Sequence, residues 1–312
     1  NLRLKLLPAN KARAISRAAK EVWKEKHHDQ FPIDVFQTGS GTSSNMNANE
    51  VIANLASKNS KLNIGPNDDV NMSQSSNDVI PTAIKISAHI DLTKKLYPAL
   101  DKLINEIQKK AKSLKGVTKT GRTHLMDAMP IDFSDELLAW SSQLSACRNM
   151  LEVIEERFLE LPQGGTAVGS GINAHKQFAK FFAQEMSKIL ETKRKYIPSN
   201  NFFHELSAQD CSVQLSGELK NLAVILMKIS NDLRWMNSGP LAGLSEIELQ
   251  ALQPGSSIMP GKVNPVIPEA VTMVSADVIG NDTSITVAAQ AGNFQLNVML
   301  PVIAYNLLKS IN

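Results

Sequence analysis

Apolar residues recur at helical spacing along three stretches of the chain, residues 96–107, 137–161 and 215–236. The steps alternate between three and four residues. An average of about 3.5 is typical of helices that pack side by side with a slight left-handed supercoil. The pattern therefore predicts three long helices of a bundle. The apolar positions are Leu96, Leu100, Leu103 and Ile107; Leu137, Trp140, Leu144, Cys147, Leu151, Ile154, Phe158 and Leu161; and Leu215, Leu219, Leu222, Leu226, Ile229, Leu233 and Met236.

A fourth stretch, about Pro268–Ala289, carries apolar or small residues nearly all round, as expected of a helix that is buried on every side. Nearer the start, Asn10–Lys26 predicts a charged amphipathic helix. Residues 31–80 are rich in Ser, Asn, Gly and Asp and predict one short helix near Asn49–Ser57. Strand-like alternation is scarce. The predicted fold is mainly α, a long central helical bundle with a mixed, irregular N-terminal domain.

These patterns divide the chain into three predicted domains. Residues 1–78 form part of an N-terminal domain, 79–295 form the central long-helix domain, and 296–312 begin a C-terminal region. The chain has no initial methionine, and its last residues stop inside a helical pattern. We therefore expect the chain to be truncated at both ends.

Composition and charge exclude several classes of partner. With 33 basic and 30 acidic residues the net charge is +3, which gives no reason to expect nucleic acid. No apolar run reaches the length of a membrane span, and the first residues do not resemble a signal peptide. Cys147 and Cys211 cannot form a disulfide framework. A reducing compartment is therefore expected, either the cytoplasm or, in a eukaryote, the mitochondrial matrix.

Polar, glycine-rich connections separate the predicted long helices, at residues 116–130, 162–175, 198–211 and 237–265. Such loops on a rigid scaffold often carry function. The turn at 164–171 lacks the strand-then-helix setting of a dinucleotide site, so we interpret it as a shaped connection between helices.

Two Ser- and Asn-rich motifs lie in the N-terminal region. Residues 37–47 combine Gly39 and Gly41 with several hydroxyl side chains, which suits an anion at the start of a helix. A plain structural turn has the same composition. Residues 73–78 precede a predicted helix. They are expected either to cap that helix only, or to cap it and also to supply polar groups that bind a ligand.

The third motif, residues 121–127, places His124 beside Thr123 in a polar loop. A single histidine is more often structural than catalytic, but this setting favours a general acid–base role. The other five histidines lack the spacing of metal ligands, so no metal site is predicted.

The fourth motif, residues 255–265, contains two adjacent hydroxyls, the cation Lys262 and the amide Asn264. It is not a phosphate-binding P-loop, because five residues separate its two glycines and valine follows the lysine. An ordinary surface loop rich in Gly and Pro shares this composition. The two hydroxyls, the lysine ammonium and the amide also suit a dicarboxylate substrate whose negative charge grows during a reaction.

Together, and in this order, the four motifs resemble the aspartase/fumarase superfamily over nearly the whole chain, from about Leu7 to Leu308. The loop at 255–265 is similar to the superfamily signature. Gly39–Thr42 and Ser75–Asn77 resemble the class II fumarase form more than the aspartase form. The resemblance implies reversible hydration of fumarate to L-malate without a metal or organic cofactor. It also implies a homotetramer in which each active site draws on three subunits.

The same resemblance implies roles for individual residues. Ser256 would be the base that removes a proton next to a substrate carboxylate, and Lys262 and Asn264 would stabilise the resulting aci-carboxylate. His124 would act on the water as general acid–base, with Glu269 as its partner. The remaining residues of the set would bind substrate carboxylates: Ser40, Thr42, Ser75, Ser76, Asn77, Thr123 and Ser257.

One departure from the family concerns a second dicarboxylate site. Members that have this site usually carry Arg and His just before a Pro-Asn-Asp segment. In this chain Leu62 and Gly65 occupy those positions, ahead of Asn67 and Asp68. A second site at Asn67 and Asp68 is therefore predicted to be weak or absent.

Three alternatives remain open at this point. An aspartate ammonia-lyase is the nearest, and the hydroxyl-rich motifs with Ser40 and Ser76 argue against it. A non-catalytic structural member of the superfamily would be expected to lose Ser256, His124 or Lys262, and all three are present. A generic coiled-coil scaffold accounts for the periodic helices but not for four polar motifs in loops.

Overall fold

The computed structural model describes residues 1–312, which are mainly α-helical. The helices are α1 (Ala9–Trp23), α2 (Thr42–Ser60), α3 (Ser76–Asp91), α4 (Tyr97–Ser113), α5 (Phe133–Glu155), α6 (Phe178–Ile189), α7 (Phe202–Ser207), α8 (Asp210–Met236), α9 (Val266–Ala289) and α10 (Leu300–Ile311). The strands are β1 (Thr118–Thr123), β2 (Met126–Asp132), β3 (Glu160–Leu161), β4 (Ile197–Pro198), β5 (Gly292–Asn293) and β6 (Leu296–Asn297). Pairs β1–β2 and β5–β6 are antiparallel, and β3–β4 is parallel. No helix combines the length and the apolar composition that a membrane span needs.

Packing divides the chain into two compact units, each built from segments that are distant in sequence. The first unit contains Asn1–Ile90, Ile154–Gln214 and Ser284–Lys309. The second contains Asp91–Val153, Leu215–Thr283 and Ser310–Asn312. The domain boundaries drawn from the sequence remain a prediction.

Side-chain contacts within the second unit join four long helices into a bundle. Gln108 of α4 donates to Ser141 Oγ of α5 at 2.9 Å. Cys147 Sγ of α5 lies 3.9 Å from a main-chain carbonyl oxygen of α8. Ser216 of α8 donates to the Asp282 carboxylate of α9 at 2.7 Å. These contacts confirm the predicted mainly-α fold with long packed helices.

The periodic apolar positions form the interior, although α5 is shorter than its pattern predicts. Leu144, Leu151 and Leu215 are fully buried. Helix α5 ends at Glu155, and the last two positions of the pattern, Phe158 and Leu161, are buried from a 3-10 turn and from β3. The row of buried apolar side chains therefore extends beyond the C-terminal end of α5.

The helix that the sequence predicts to be buried on every side has one exposed face in the single chain. Helix α9 forms as predicted, but one face of it is exposed: Ile267 is 58%, Met273 67%, Val274 63% and Val287 51% accessible. The opposite face is buried, with Ile285 and Ala288 at 0% and 1%. The other helices of the chain cover only one face of α9. The apolar side chains on its outer face therefore stay exposed in the monomer.

Two predicted connections contain regular structure. Residues 116–130, predicted as a polar connection, form most of the β1–β2 hairpin. Residues 198–211 contain the short helix α7. The hairpin was missed because most of the side chains of β2 are exposed, so its strands have no apolar alternation. Helix α2 likewise begins at Thr42, well before the predicted Asn49, because its first turns are polar.

Several polar side chains of α3 are buried and structural. Lys85 pairs with the carboxylate of Glu205 and donates to the carbonyl oxygens of Arg157 and Glu160 at 3.0 and 2.9 Å. His89, one turn further along the helix, has Nδ1 within 2.6 Å of the hydroxyl of Tyr196. His89 is therefore an interior residue of the first unit.

Asp78 fixes the start of α3. Its fully buried carboxylate accepts N–H bonds at 2.9 Å from Ser75, Gly164 and Thr166. The bond to Ser75, three residues earlier, together with the Ser75 hydroxyl that accepts from the N–H of Asn77 at 3.3 Å, forms a capping box. Burial raises the pKa of Asp78 above its ordinary value, against the lowering effect of the three N–H donors. The turn at 164–171 is thereby tied to the Ser75–Asn77 motif.

Replacing Asp78 by Asn is expected to lower the free energy of unfolding by about 2–3 kcal/mol, since an amide cannot accept from donors on both sides of the carboxylate. Urea unfolding at one fixed protein concentration measures this. The matched control is Asp135→Asn, an exposed first-turn residue of α5, which should change stability by less than about 0.5 kcal/mol. Equal effects of the two changes would contradict the role given to Asp78.

Both cysteines are expected to be unreactive in the folded protein. Cys147 and Cys211 are buried and unbridged. Burial raises the pKa of both thiols, that of Cys211 to about 12. Such a pKa lowers the thiolate fraction at pH 8 about 10³-fold relative to an ordinary thiol. Ellman's reagent should therefore modify neither thiol before unfolding and both in denaturant, and rapid modification of native protein would contradict the buried positions.

Candidate active site

The two N-terminal motifs meet at the starts of α2 and α3. Thr42, the first residue of α2, has its hydroxyl oxygen 3.3 Å from that of Ser76, the first residue of α3. Ser40 Oγ lies 3.3 Å from the same Thr42 oxygen. The starts of α2 and α3, each with the positive end of a helix dipole, therefore lie beside three hydroxyls, an arrangement that suits a carboxylate.

The backbone around Ser40 shapes this pocket. Ser40 itself has φ +53°, between Gly39 and Gly41 at +52° and +92°. A Cβ at Gly41 would lie 2.5 Å from Cγ1 of Ile80, so only glycine fits against α3 at that point. The left-handed run turns the chain sharply into α2 and brings its first N–H groups beside α3.

Two of the predicted carboxylate ligands already have internal partners. The hydroxyl of Ser75 accepts the cap bond described above, and Asn77 Nδ2 donates to the carbonyl oxygen of Ala167 at 2.8 Å. Ser76 Oγ is 3.4 Å from Asn77 Oδ1. In the chain as it stands, Thr42 and Ser76 are therefore better placed to reach a ligand than Ser75 and Asn77.

The third motif forms the tip of the β1–β2 hairpin. Thr123 pairs with Met126, and the two residues between them, His124 and Leu125, both have positive φ, 54° and 60°. This is the geometry of a type I′ turn, which matches the twist of the strands. The turn presents the exposed imidazole of His124 at the end of the hairpin, without a hydrogen-bond partner from its own chain.

The fourth motif is a closed loop whose ends are tied together. The N–H of Gly255 donates to the carbonyl oxygen of Lys262 at 3.0 Å, and Asn264 Nδ2 donates to the carbonyl oxygen of Gly255 at 3.0 Å. Inside the loop, Ser256 Oγ accepts the N–H groups of Ile258 and Met259 at 3.3 and 3.2 Å. Two dipoles aimed at this oxygen favour its negatively charged form. Ser257 is exposed beside it.

A polar pocket of about 410 Å³ brings together the cation, amide and carboxylate that the sequence selected. Lys262, Asn264 and Glu269 line it from one side. Asn231 and Arg234 of α8 line it from the other. Arg234 is held by a bond of 3.0 Å to Asn231 Oδ1, and neither cation has an ion pair with any carboxylate of the chain. Unpaired cations around a pocket are suited to an anionic ligand.

Arg234 and Asn231 were missed by the sequence analysis. They lie in the last turns of α8, outside the apolar positions of the heptad, where polar side chains are usually solvated. A sequence pattern cannot indicate that the end of one helix faces a loop almost thirty residues later.

The predicted pair of His124 and Glu269 is not formed within the chain. Glu269 lies in the first turn of α9 and lines the polar pocket, and no hydrogen bond or ion pair links it to His124. Asn67 and Asp68 are exposed in a π-helical turn, where the neighbouring Lys11 pairs with Asp69 at 2.7 Å. The weak or absent second site stays a prediction. No cluster of three or more His, Cys, Asp or Glu side chains could hold a metal ion.

Comparison with known proteins identifies the family. A family model described as "Lyase" matches residues 2–280. The chain is 57% identical to fumarate hydratase class II of Xylella fastidiosa, over 99% of this chain and 65% of that protein. It is 56% identical to fumarate hydratase class II 2 of Pseudomonas aeruginosa, over 100% and 68% respectively. The crystal structure of a recombinant class II fumarase from Schistosoma mansoni matches with a TM-score of 0.95 at 38% identity, over 100% of this chain and 69% of that chain.

The chain therefore belongs to this lyase family, the aspartase/fumarase superfamily, and within it to the class II fumarate hydratases. The resemblance drawn from the four motifs is confirmed. The chain spans about 65% of the length of the first of these relatives.

Replacing Arg234 by Gln is expected to weaken binding of a simple dicarboxylate such as succinate about tenfold, or ~1.4 kcal/mol, because one charge-assisted contact is lost. Isothermal titration calorimetry measures the dissociation constant. Lys228→Gln is the matched control, since Lys228 lies on the same helix but pairs with Asp232 and does not line the pocket. An unchanged dissociation constant for Arg234→Gln would remove this residue from the site.

Proposed function

We propose that the protein catalyses the reversible hydration of fumarate to L-malate, with Ser256 as the base. The observation that carries the proposal is the pair of N–H groups directed at Ser256 Oγ, beside a pocket with unpaired cations. The class II fumarate hydratases of Xylella and Pseudomonas, to which the chain is similar, support the choice of reaction.

The difficult step is removal of a proton from a carbon next to a carboxylate, because that carbon is a very weak acid. A serine hydroxyl is a poor base unless its ionised form is stabilised. The two N–H donors lower the free energy of the Ser256 alkoxide. The proton moves from the substrate carbon to Ser256 Oγ.

The negative charge that leaves the carbon accumulates on the adjacent carboxylate. Lys262 and Arg234 are the donors available to this aci-carboxylate, and Asn264 holds the loop closed while it lines the pocket. Stabilisation of charge that exists only late in the reaction speeds proton removal. Ser257 contributes a further hydroxyl at the mouth of the same loop.

His124 acts on the other side of the substrate as the general acid–base for water. Its exposed position at the hairpin tip suits a group that completes a site on another subunit, where Glu269 orients its ring and balances its charge. Thr123 accompanies it. The starts of α2 and α3 bind the second carboxylate, mainly through Thr42 and Ser76, while Ser40, Ser75 and Asn77 shape that pocket.

The active unit in this proposal is a homotetramer with sites shared between subunits. The exposed apolar face of α9 supports it, because a second copy of the same face covers it without any new partner. The hairpin tip supports it too: Leu125, Met126 and Met129 around His124 are 65%, 70% and 73% exposed in the monomer. The reaction as proposed needs no metal or organic cofactor, and the proposed compartment is the cytoplasm or the mitochondrial matrix.

The test is the ultraviolet absorbance of fumarate formed by the full chain from L-malate and, separately, from L-aspartate. Fumarate is expected from malate only, and Ser256→Ala should lower the rate constant about 10²- to 10⁴-fold, the range for loss of a general base. Ser113→Ala, an exposed serine at the end of α4, is the control and should keep the rate.

Fumarate from aspartate only would replace the proposal by an ammonia-lyase on the same scaffold. Absence of product from both substrates, with an assembled tetramer, would overturn it in favour of another lyase reaction or a structural role. Full activity of Ser256→Ala would refute the assignment of the base while leaving the reaction in place.

A further inference from the structure

Four charged side chains form a network at the base of the hairpin that carries His124. Arg122 Nη1 donates to Glu246 Oε1 at 2.6 Å, and Glu246 Oε2 lies 3.3 Å from Lys119 Nζ. Lys119 also pairs with Glu136 near the start of α5 and lies 3.3 Å from the sulfur of Met236. The side chains of Lys119 and Glu246 are 8% and 13% exposed, so water screens these charges weakly.

A β-bulge allows two residues of one strand to reach the same carboxylate. In a regular strand Lys119 and Arg122, three residues apart, would point to opposite faces. The register of β1 on β2 shifts between Thr120 and Arg122, which turns both cations toward Glu246. Gly121 permits the bulge, because a Cβ there would lie 2.8 Å from the carbonyl oxygen of Met129.

Glu246 is itself anchored to the end of α8. Its N–H donates to the carbonyl oxygen of Met236 at 2.8 Å, and so does that of Ile247 at 3.2 Å. Met236 is two residues beyond Arg234, which lines the polar pocket. Glu246 therefore connects the hairpin directly to the helix end beside the proposed carboxylate pocket.

No other ion pair fixes Arg122 to the body of the unit. Its second carboxylate contact, Asp127 at 3.4 Å, is the cross-strand neighbour within the hairpin and is 81% exposed. The bond to Glu246 also raises the pKa of Arg122, so the guanidinium stays charged at every working pH. Loss of the Glu246 charge would leave Lys119 and Arg122 as neighbouring cations that repel one another, and the hairpin would move as a body.

We propose that Glu246 is a positioning residue for His124: through Arg122 it sets where the hairpin tip, and with it the imidazole, stands relative to the substrate. The inference rests on the proposed function. Proton transfer depends steeply on distance, so a displacement of about 1 Å costs about 10²-fold in rate. Among the residues proposed to bind the carboxylates only Thr123 belongs to the hairpin, so binding should change far less than turnover.

Glu246→Gln in the full chain is expected to lower kcat for malate about 10²-fold while KM stays within about threefold. Glu248→Gln is the matched control, because Glu248 lies two residues along, is exposed and forms no ion pair; it should leave both constants unchanged. Arg122→Gln should resemble Glu246→Gln, and the double change should be no worse than either alone, since both remove the same contact.

Hydrogen exchange provides a readout that does not depend on turnover. Amides of β1 and β2 should exchange faster in Glu246→Gln than in wild type or Glu248→Gln, while those of α2 and α3 stay unchanged. Unchanged kcat in Glu246→Gln would overturn the proposal, as would a fall in kcat with loss of the tetramer or a parallel rise in KM. If the wild-type chain converted neither malate nor aspartate, the proposed function would fail, and unchanged exchange in the hairpin would separately refute the positioning role.

Discussion

Covering the outer face of α9 is the constraint on which the rest of this structure depends. Ile267, Met273, Val274 and Val287 project from a helix whose other face is already packed. Full burial of an exposed side chain of this kind stabilises by roughly 1.5–3 kcal/mol. Because these four are 51–67% exposed, covering them contributes about 4–7 kcal/mol for each copy of the face. In the proposed assembly, two copies of this face that cover each other contribute about 7–14 kcal/mol, which is comparable to the association cost of about 4–15 kcal/mol for two bodies. The proposed assembly would account for a helix that is apolar all round, since the monomer leaves one face of it exposed.

Assembly of this kind demands that each part of the site be rigid before the parts meet. Asp78 holds the start of α3 against the turn at 164–171. The bonds of Gly255 with Lys262 and Asn264 close the loop that carries Ser256. Glu246 fixes the hairpin that carries His124. Each of the three parts is therefore preorganised by backbone N–H groups or buried charges within its own chain, and association has only to bring them together.

The sequence predicted the helices well because apolar periodicity directly reflects burial. Leu144, Leu151 and Leu215 are interior in the structure as their spacing requires. The same signal failed for the β1–β2 hairpin, whose strands are polar or exposed, and for the start of α2, whose first turns are polar. It also placed the α9 helix correctly, although the single chain covers only one of its faces. An apolar pattern does not tell which copy of the chain would cover the other face.

Individual site residues were selected by their chemistry, but their partners came only from the fold. Lys262 and Asn264 were expected to act together, and one pocket contains both of them together with Glu269, which was expected to pair with His124. Arg234 could not be found in this way, because it is one polar residue among many on a heptad helix. Arg122 and Glu246 stand more than a hundred residues apart, and a bulge at Gly121 decides which charges meet. The roles of Ser256 and His124 stay predictions.

The claim that each site combines groups from different subunits is tested most directly by mixing two inactive variants. Ser256→Ala and His124→Asn tetramers are dissociated, mixed and reassembled, with subunit exchange followed by native mass spectrometry. Hybrids should regain malate dehydration, because some sites then pair an intact Ser256 loop with an intact hairpin. A mixture of Ser256→Ala and Lys262→Met should stay inactive, since one loop carries both residues. Hybrids of the first pair that form but remain inactive would contradict the account.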